Sequence, residues 1–170
     1  MVRAACSAMA SISRMLPAIF GRGTAYMASG RRKEAAAEYS RALTFSQNHV
    51  PALNNLAYIY AEEGKNLPAA LQLATRSGNL EPENGLVQDT LGFVFLKSGR
   101  LSDAVKALQK AAGLAPDNPS IYFHLALAYF GQGETRKAIA SLQKALGSKD
   151  FAERKEAKLL LEKLQKRVKS

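Results

Sequence analysis

Residues 91–116 have the sequence LGFVFLKSGRLSDAVKALQKAAGLAP. Two segments with apolar residues at helical spacing lie on either side of Gly99, and the second segment runs into Pro116. Glycine adopts the positive φ that ends a helix, and proline disfavours helical backbone in the residue before it. The stretch therefore predicts two helices joined by a tight turn and followed by a second turn.

The same pattern recurs along the chain of 170 residues. Glycines are spaced by 34, 35 and 34 residues and alanines by 35, 34 and 34 residues, which places one extra residue between Gly64 and Ala70. An insertion in a turn there disturbs no packing. The recurring positions are Gly30, Gly64, Gly99 and Gly133; Ala35, Ala70, Ala104 and Ala138; and the aromatic residues Tyr26, Tyr60, Phe95 and Tyr129. A fixed period of this length predicts an array of helix-turn-helix units.

Small residues on the first helix of each unit are predicted to let the two helices approach closely. These residues are Gly23, Ala57, Gly92 and Ala126, and we expect them to face Ala35, Ala70, Ala104 and Ala138 on the second helices. The aromatic side chain three residues after each of them is expected to bury much of its ring between helices.

This set of small, aromatic, alanine and proline positions resembles the tetratricopeptide repeat (TPR). Repeats three and four match most fully, whereas repeat two has Ser77 in place of an alanine. Repeat one departs at Arg22, where leucine is expected, and at Gln47, where proline is expected. The resemblance implies an all-α fold, a right-handed superhelical array of four units with a C-terminal capping helix. It also implies a non-catalytic scaffold that binds another protein, of a kind often found in bacterial secretion and export assemblies.

The repeat boundaries follow from the period. We assign an N-terminal segment at 1–15, TPR 1 at 16–49, TPR 2 with its inserted residue at 50–84, TPR 3 at 85–118, TPR 4 at 119–152 and a capping helix at 153–170. Asp150 followed by Glu153 predicts a capping box at the start of that last helix. For residues 1–15 the sequence leaves several alternatives open: a disordered segment, a remnant helix, a targeting segment, a truncated repeat or a helix that fills a groove.

The net charge of +10 comes from the two ends of the chain. Residues 1–33 hold six Lys and Arg and no acid, and residues 149–170 hold eight basic and four acidic side chains. The alternative function is therefore binding of nucleic acid or an anionic membrane through the termini, although a neutral repeat body makes nucleic acid the less favoured partner. The sequence contains no run of about 18 consecutive apolar residues, so it predicts no transmembrane helix.

Residues that could form a disulfide, a metal site or a catalytic site are scarce in this sequence. A single cysteine, Cys6, excludes an internal disulfide and gives no sign of an oxidising compartment, which favours the cytoplasm, whereas an acid-free N-terminus leaves export open. His49 and His124 belong to different repeats, so we predict no metal site, and we expect a loop or packing role for each. Neither a phosphate-binding loop nor a nucleophile with its base is present. We predict no enzyme activity and no cofactor.

The expected binding site is a groove. In TPR proteins the first helices line the concave side, so the resemblance implies groove positions at Phe20, Thr24, Met27, Asn54, Asn55, Tyr58, Asp89, Phe93, Leu96, Phe123, Leu127 and Phe130. Most of these residues are apolar, which predicts a groove for an apolar peptide or an amphipathic helix. Asn54 and Asn55 are expected to bind a peptide backbone, because asparagine both donates and accepts hydrogen bonds. Two alternatives stay open: that a helix of the same chain fills the groove, and that the chain self-associates through its N-terminal end.

Overall fold

The protein is all-α, as predicted. A computed structural model describes the backbone of residues 2–169 and the side chains of residues 15–168. Within this range it has nine helices and no strand: α1 Val2–Ala28, α2 Arg32–Phe45, α3 Val50–Glu62, α4 Leu67–Leu80, α5 Gly85–Lys97, α6 Leu101–Leu114, α7 Pro119–Gly131, α8 Thr135–Leu146 and α9 Arg154–Lys169. The helices form four consecutive antiparallel pairs and a ninth helix, in the order that the repeats predict.

The chain divides into two compact units, residues 1–80 and residues 81–170. In unit one, α1 packs against α2, α2 against α3, and α3 against α4. Its main apolar core surrounds Tyr39, which is fully buried. In unit two, each helix packs against the next, and α5 also contacts α7. The core of unit two is centred on α7 and includes Leu108, Leu142 and Leu164, none of which has exposed surface.

The turns inside the helix pairs have the geometry that their glycines predict. Gly30, Gly64, Gly99 and Gly133 have φ angles of 73°, 65°, 73° and 78°. In two of these turns the next residue is an arginine, whose guanidinium lies over the ring of the recurring aromatic residue. The distance to the ring centroid is 4.4 Å for Arg31 over Tyr26 and 4.7 Å for Arg100 over Phe95. Cation–π contacts of this kind hold the turn against the end of the first helix.

Two of the small residues on the first helices, Gly23 and Gly92, lie closest to partners other than those predicted. A Cβ at Gly23 would lie 2.7 Å from Cε1 of Tyr39, and a Cβ at Gly92 would lie 2.5 Å from Cγ of Leu108. Both neighbours lie one helical turn beyond the alanines at Ala35 and Ala104. At these two positions the missing side chain therefore makes room for a large residue on the second helix, which corrects our expectation that Gly23 and Gly92 pack against alanines.

The turns between repeats share one structure even where proline is absent. The amide of His49 donates to the carbonyl of Ser46 at 3.1 Å, and the equivalent bonds at Asn84 and Asn118 each measure 3.2 Å. Each of these three residues is also the N-cap of the next helix, accepting hydrogen bonds from the first-turn amides. The turn of repeat one thus forms without the proline that Gln47 replaces.

The N-cap at His49 predicts a pH dependence that the two asparagine caps do not have. His49 Nδ1 accepts from the Ala52 amide at 3.2 Å, and only the neutral ring can accept there. Burial lowers the pKa of His49 below its ordinary value, so the unfolded chain takes up the proton first as the pH falls. The His49 N-cap should contribute fully to the stability of the fold above about pH 6.5, the ordinary pKa of histidine. This contribution should be lost as the pH falls through the pKa of His49 in the folded protein.

As the pH is lowered from 7 to 5, we expect the free energy of unfolding of unit one, measured by urea unfolding, to decrease by no more than the contribution of an N-cap, about 0.5–2 kcal/mol. His49→Asn keeps the cap and removes the titration, as Asn84 and Asn118 do at their helices, so this variant should lose that part of the pH dependence. Identical pH profiles for the variant and the wild type would contradict the assignment.

The two ends of the chain also differ in detail from the sequence-based expectations. The first helix begins at Val2, so the backbone of the predicted N-terminal segment continues directly into α1. The last helix begins at Arg154, and Glu153 accepts a hydrogen bond from Ser120 Oγ at 2.8 Å. The predicted capping box with Asp150 is therefore wrong, because Glu153 contacts α7 instead.

Candidate functional site

The groove positions predicted on α1 lie against the core of unit one. The Phe20 ring centroid is 5.5 Å from that of Tyr39 and 4.9 Å from that of His49. Met27 is half-buried against the same core. Thr24 is exposed, and its hydroxyl donates to the Phe20 carbonyl at 3.1 Å. Of these three residues, Thr24 alone is exposed.

The groove positions predicted on α3 are polar and half-buried. Asn54, Asn55 and Tyr58 each keep part of their surface exposed. The side-chain oxygen of Asn54 is buried and accepts no hydrogen bond from the described part of the chain. A buried amide oxygen without a donor is costly, and because this atom has no exposed surface, the parts of α3 presented to a peptide are those of Asn55 and Tyr58.

The apolar groove positions predicted in unit two fall into two groups, one buried and one half-buried. Phe93 and Phe123 are only 6% and 4% exposed, so these two rings lie beneath the surface and not on it. Leu96, Leu127 and Phe130 are half-buried and present their edges to solvent. The Lys97 ammonium lies 5.2 Å from the Phe93 ring centroid.

A buried polar pair joins α5 to α7 below this surface. Asp89 Oδ1 lies 2.8 Å from His124 Nδ1, and the side chains are 13% and 4% exposed. The His124 ring is 4.7 Å from the Phe93 centroid and 6.1 Å from the Phe123 centroid. Asp89 was predicted to line the groove, whereas the structure uses its carboxylate to fix a histidine of the next repeat. The packing role predicted for His124 is confirmed, but nothing in the sequence indicated its partner 35 residues away.

An open cleft lies between α7 and α9. It has a volume of about 360 Å³ and is lined by Phe123, Leu127, Glu156, Leu159, Leu160 and Lys163. The apolar stripe of α9 that packs into the core of unit two includes Ala157, Leu161 and Leu164. Leu159 is 67% exposed and lies outside this stripe. Four of the six lining residues thus come from a helix to which the sequence assigned only a capping role. The signal was present, because an exposed leucine next to that stripe widens the apolar face of α9.

The basic ends differ from each other. In the N-terminal part whose side chains are described, Arg22, Arg31 and Arg32 pair with Glu38, Glu34 and Glu62 at 3.0, 2.9 and 2.9 Å. The departure of Arg22 from the repeat pattern is thus explained by an ion pair with α2.

At the turn between α8 and α9, a wide cleft is lined by four cations, Lys149, Arg154, Lys155 and Lys158, together with Asp150, Phe151 and Ala152. The Arg154 guanidinium donates to the Leu146 and Ser148 carbonyls and so holds the turn.

The described residues contain neither a candidate transmembrane helix nor a candidate metal site. None of their helices has the length and hydropathy needed to cross a membrane. No group of three or more His, Cys, Asp or Glu side chains comes together there in a way that would bind a metal ion.

Comparison with known proteins agrees with the fold. Models of the tetratricopeptide repeat match residues 20–78, 92–133 and 119–150. A thermophilic TPR protein from Thermus thermophilus superposes with a TM-score of 0.78 at 23% identity, covering 90% of this chain and 82% of that one.

Two further structures are similar in fold. MamA from Desulfovibrio magneticus RS-1 has a TM-score of 0.64 at 22% identity, covering 78% of this chain and 74% of that chain. The O-GlcNAc transferase of Thermobaculum terrenum has a TM-score of 0.73 at 21% identity, with 79% of this chain covered but only 26% of the transferase. No curated protein matches the sequence significantly. The repeat spacing, the glycine turns and the three family matches together show that the chain belongs to the tetratricopeptide repeat family.

Proposed function

We propose that this protein is a scaffold that binds an amphipathic helix in the cleft between α7 and α9. Proteins of this family generally act as non-catalytic scaffolds for other proteins. The observation that carries the proposal is Leu159, which is 67% exposed beside the half-buried Leu127. An exposed apolar side chain at the edge of an apolar cleft is typical of an interaction site.

The shape and the lining of the cleft favour a helix as its occupant. A cleft between two helices accepts side chains that a third helix presents at positions i, i+3 or i+4, and i+7. Burial of one leucine-sized side chain contributes about 1.5–3 kcal/mol, and association has its own entropic cost. Two or three such side chains would therefore give a reversible complex, which suits an adaptor.

The α3 residues Asn55 and Tyr58 belong to unit one, and we propose them as a separate polar contact for a peptide, independent of the cleft in unit two. Membership of a bacterial secretion or export assembly also belongs to the proposal, and the proteins captured in the experiment below would test it.

The test is a pull-down from a lysate of the source cell, with captured proteins measured by quantitative mass spectrometry. Leu127→Asp combined with Leu159→Asp should reduce a specific partner about tenfold or more, because a carboxylate in an apolar contact loses its hydration. The matched control is Leu86→Asp, since Leu86 is 57% exposed on α5 and does not line the cleft.

Helicity measured by circular dichroism should be the same for all three proteins. Equal capture by the wild type and the double variant would refute the proposal. The variants at Leu127 and Leu159 are preferable to substitutions of Phe93 or Phe123, because a charge at either buried ring would unfold unit two.

The basic ends support a second candidate, binding of an anionic partner. The four cations around the turn between α8 and α9 favour it, whereas the ion pairs of Arg22, Arg31 and Arg32 weaken it at the other end. Binding through cations to nucleic acid falls steeply as salt rises, whereas binding in an apolar cleft does not. Titration of any captured partner at several salt concentrations separates the two.

A further inference from the structure

The cleft-facing side of α9 has a symmetrical arrangement of charge and apolar surface. Glu156 lies three residues before Leu159, and Lys163 lies three residues after Leu160. All four side chains line the cleft beside α7. Neither Glu156 nor Lys163 forms an ion pair with any described residue. Along the helix, this surface therefore has an acidic residue at one end, two leucines in the middle and a basic residue at the other end.

A surface of this kind is complementary to itself when one copy is turned around. In an antiparallel pair of α9 helices related by a two-fold axis, Glu156 of each copy faces Lys163 of the other. Leu159 of each copy then faces Leu160 of the other, at the axis. Two-fold symmetry requires that if residue i contacts residue j, then j contacts i, and this sequence satisfies that condition for both pairs.

We propose that the helix bound in the cleft is α9 of a second copy of this chain, so that the protein forms an antiparallel homodimer. This inference rests on the cleft of the proposed function and names its occupant. Burial of Leu159 drives the association, and the two reciprocal ion pairs set its orientation. A parallel arrangement would place Glu156 opposite Glu156 and Lys163 opposite Lys163, which like-charge repulsion disfavours.

The dimer should be weak and concentration-dependent. A helix of 16 residues is about 24 Å long, so one helix face with the adjoining edge of α7 buries less than the about 800 Å² per partner of a stable interface. The net charge of +10 on each copy opposes association further. Because that repulsion is long-ranged, it is screened at physiological salt, where the Debye length is about 8 Å, whereas the contact pairs are screened less.

The test is sedimentation equilibrium of the full chain at physiological salt, from low micromolar to near-millimolar concentration. The wild type should show a reversible monomer–dimer equilibrium. Glu156→Lys alone and Lys163→Glu alone each create two like-charge contacts and should weaken the dimer about tenfold or more. The double variant Glu156→Lys with Lys163→Glu restores both pairs with the signs exchanged and should dimerise about as well as the wild type.

Restoration by the double variant is the decisive result, because a surface for an unrelated partner would not be repaired by exchanging its own charges. Glu156 and Lys163 are exposed, so all variants should keep the wild-type circular dichroism spectrum. A wild type that stays monomeric over the whole range, or a double variant no better than the single ones, would overturn the inference. If the wild type stays monomeric while Leu127→Asp with Leu159→Asp still abolishes capture of another protein, the proposed function stands and only the homodimer is refuted.

Discussion

Gly23→Ala is expected to lower the free energy of unfolding of unit one by about 1–3 kcal/mol. Its Cβ would lie 2.7, 2.9 and 3.2 Å from three ring atoms of Tyr39. Tyr39 has no exposed surface and packs against Phe20, so its ring has no free space to move into. The overlap should exceed the about 1 kcal/mol that alanine gains over glycine in a helix.

Gly21→Ala is the matched control, because Gly21 lies two residues away in α1. The structure places no atom of its described part within 4 Å of a Cβ there, leaving aside the helix's own nearby backbone. This substitution should raise stability by about 0.4–1 kcal/mol. Opposite signs in urea unfolding, followed by circular dichroism and analysed for two transitions, would support the proposed fit between Gly23 and Tyr39. Equal stabilisation by both substitutions would contradict it.

Asp89→Ala is expected to destabilise unit two by about 1–3 kcal/mol, the cost of leaving a buried polar group without its hydrogen-bond partner. His124 is 4% exposed and lies beside two phenylalanine rings, so water cannot easily replace the lost carboxylate. His124→Phe should also destabilise, because it leaves the Asp89 carboxylate nearly buried without its partner.

The double variant Asp89→Leu with His124→Phe should lose less free energy of unfolding than the two single variants lose in sum. Replacing both partners by apolar groups removes the unsatisfied atoms, and the aromatic ring at position 124 can keep its contacts with Phe93. Urea unfolding of Asp89→Leu, His124→Phe and the double variant gives the coupling energy, expected to be about 1–3 kcal/mol. Additive losses would show that the two residues act independently.

Most of the fold could be predicted from the sequence. The four turn glycines have the positive φ that their spacing indicated, and the one-residue insertion falls in the turn before α4. These features depend on the backbone preferences of one or two residues, which act in the same way in every repeat. Even Gln47 does not change the turn, because the N-cap at His49 supplies the interactions that Asn84 and Asn118 supply elsewhere.

The candidate site could be predicted less well. The open face of α7 was expected from the repeat pattern, but the exposed Leu159 beside it was not. The depth of Phe93 and Phe123 below the surface also could not be predicted, since helical period gives the direction of a side chain and not how closely its neighbours approach. The binding roles assigned to the twelve groove positions stay predictions.

Local chain chemistry was therefore enough to establish an all-α array of helix pairs, its period and its turns, because each of these depends on residues within one helical turn of each other. The pairs Gly23 with Tyr39, Asp89 with His124 and Ser120 with Glu153 needed coordinates, since 16, 35 and 33 residues separate their members. Which side chains meet over such separations depends on the distance and rotation between packed helices. Small changes in side-chain volume set both the distance and the rotation, so even where a contact recurs, as between Gly92 and Leu108, its partner had to be read from the structure.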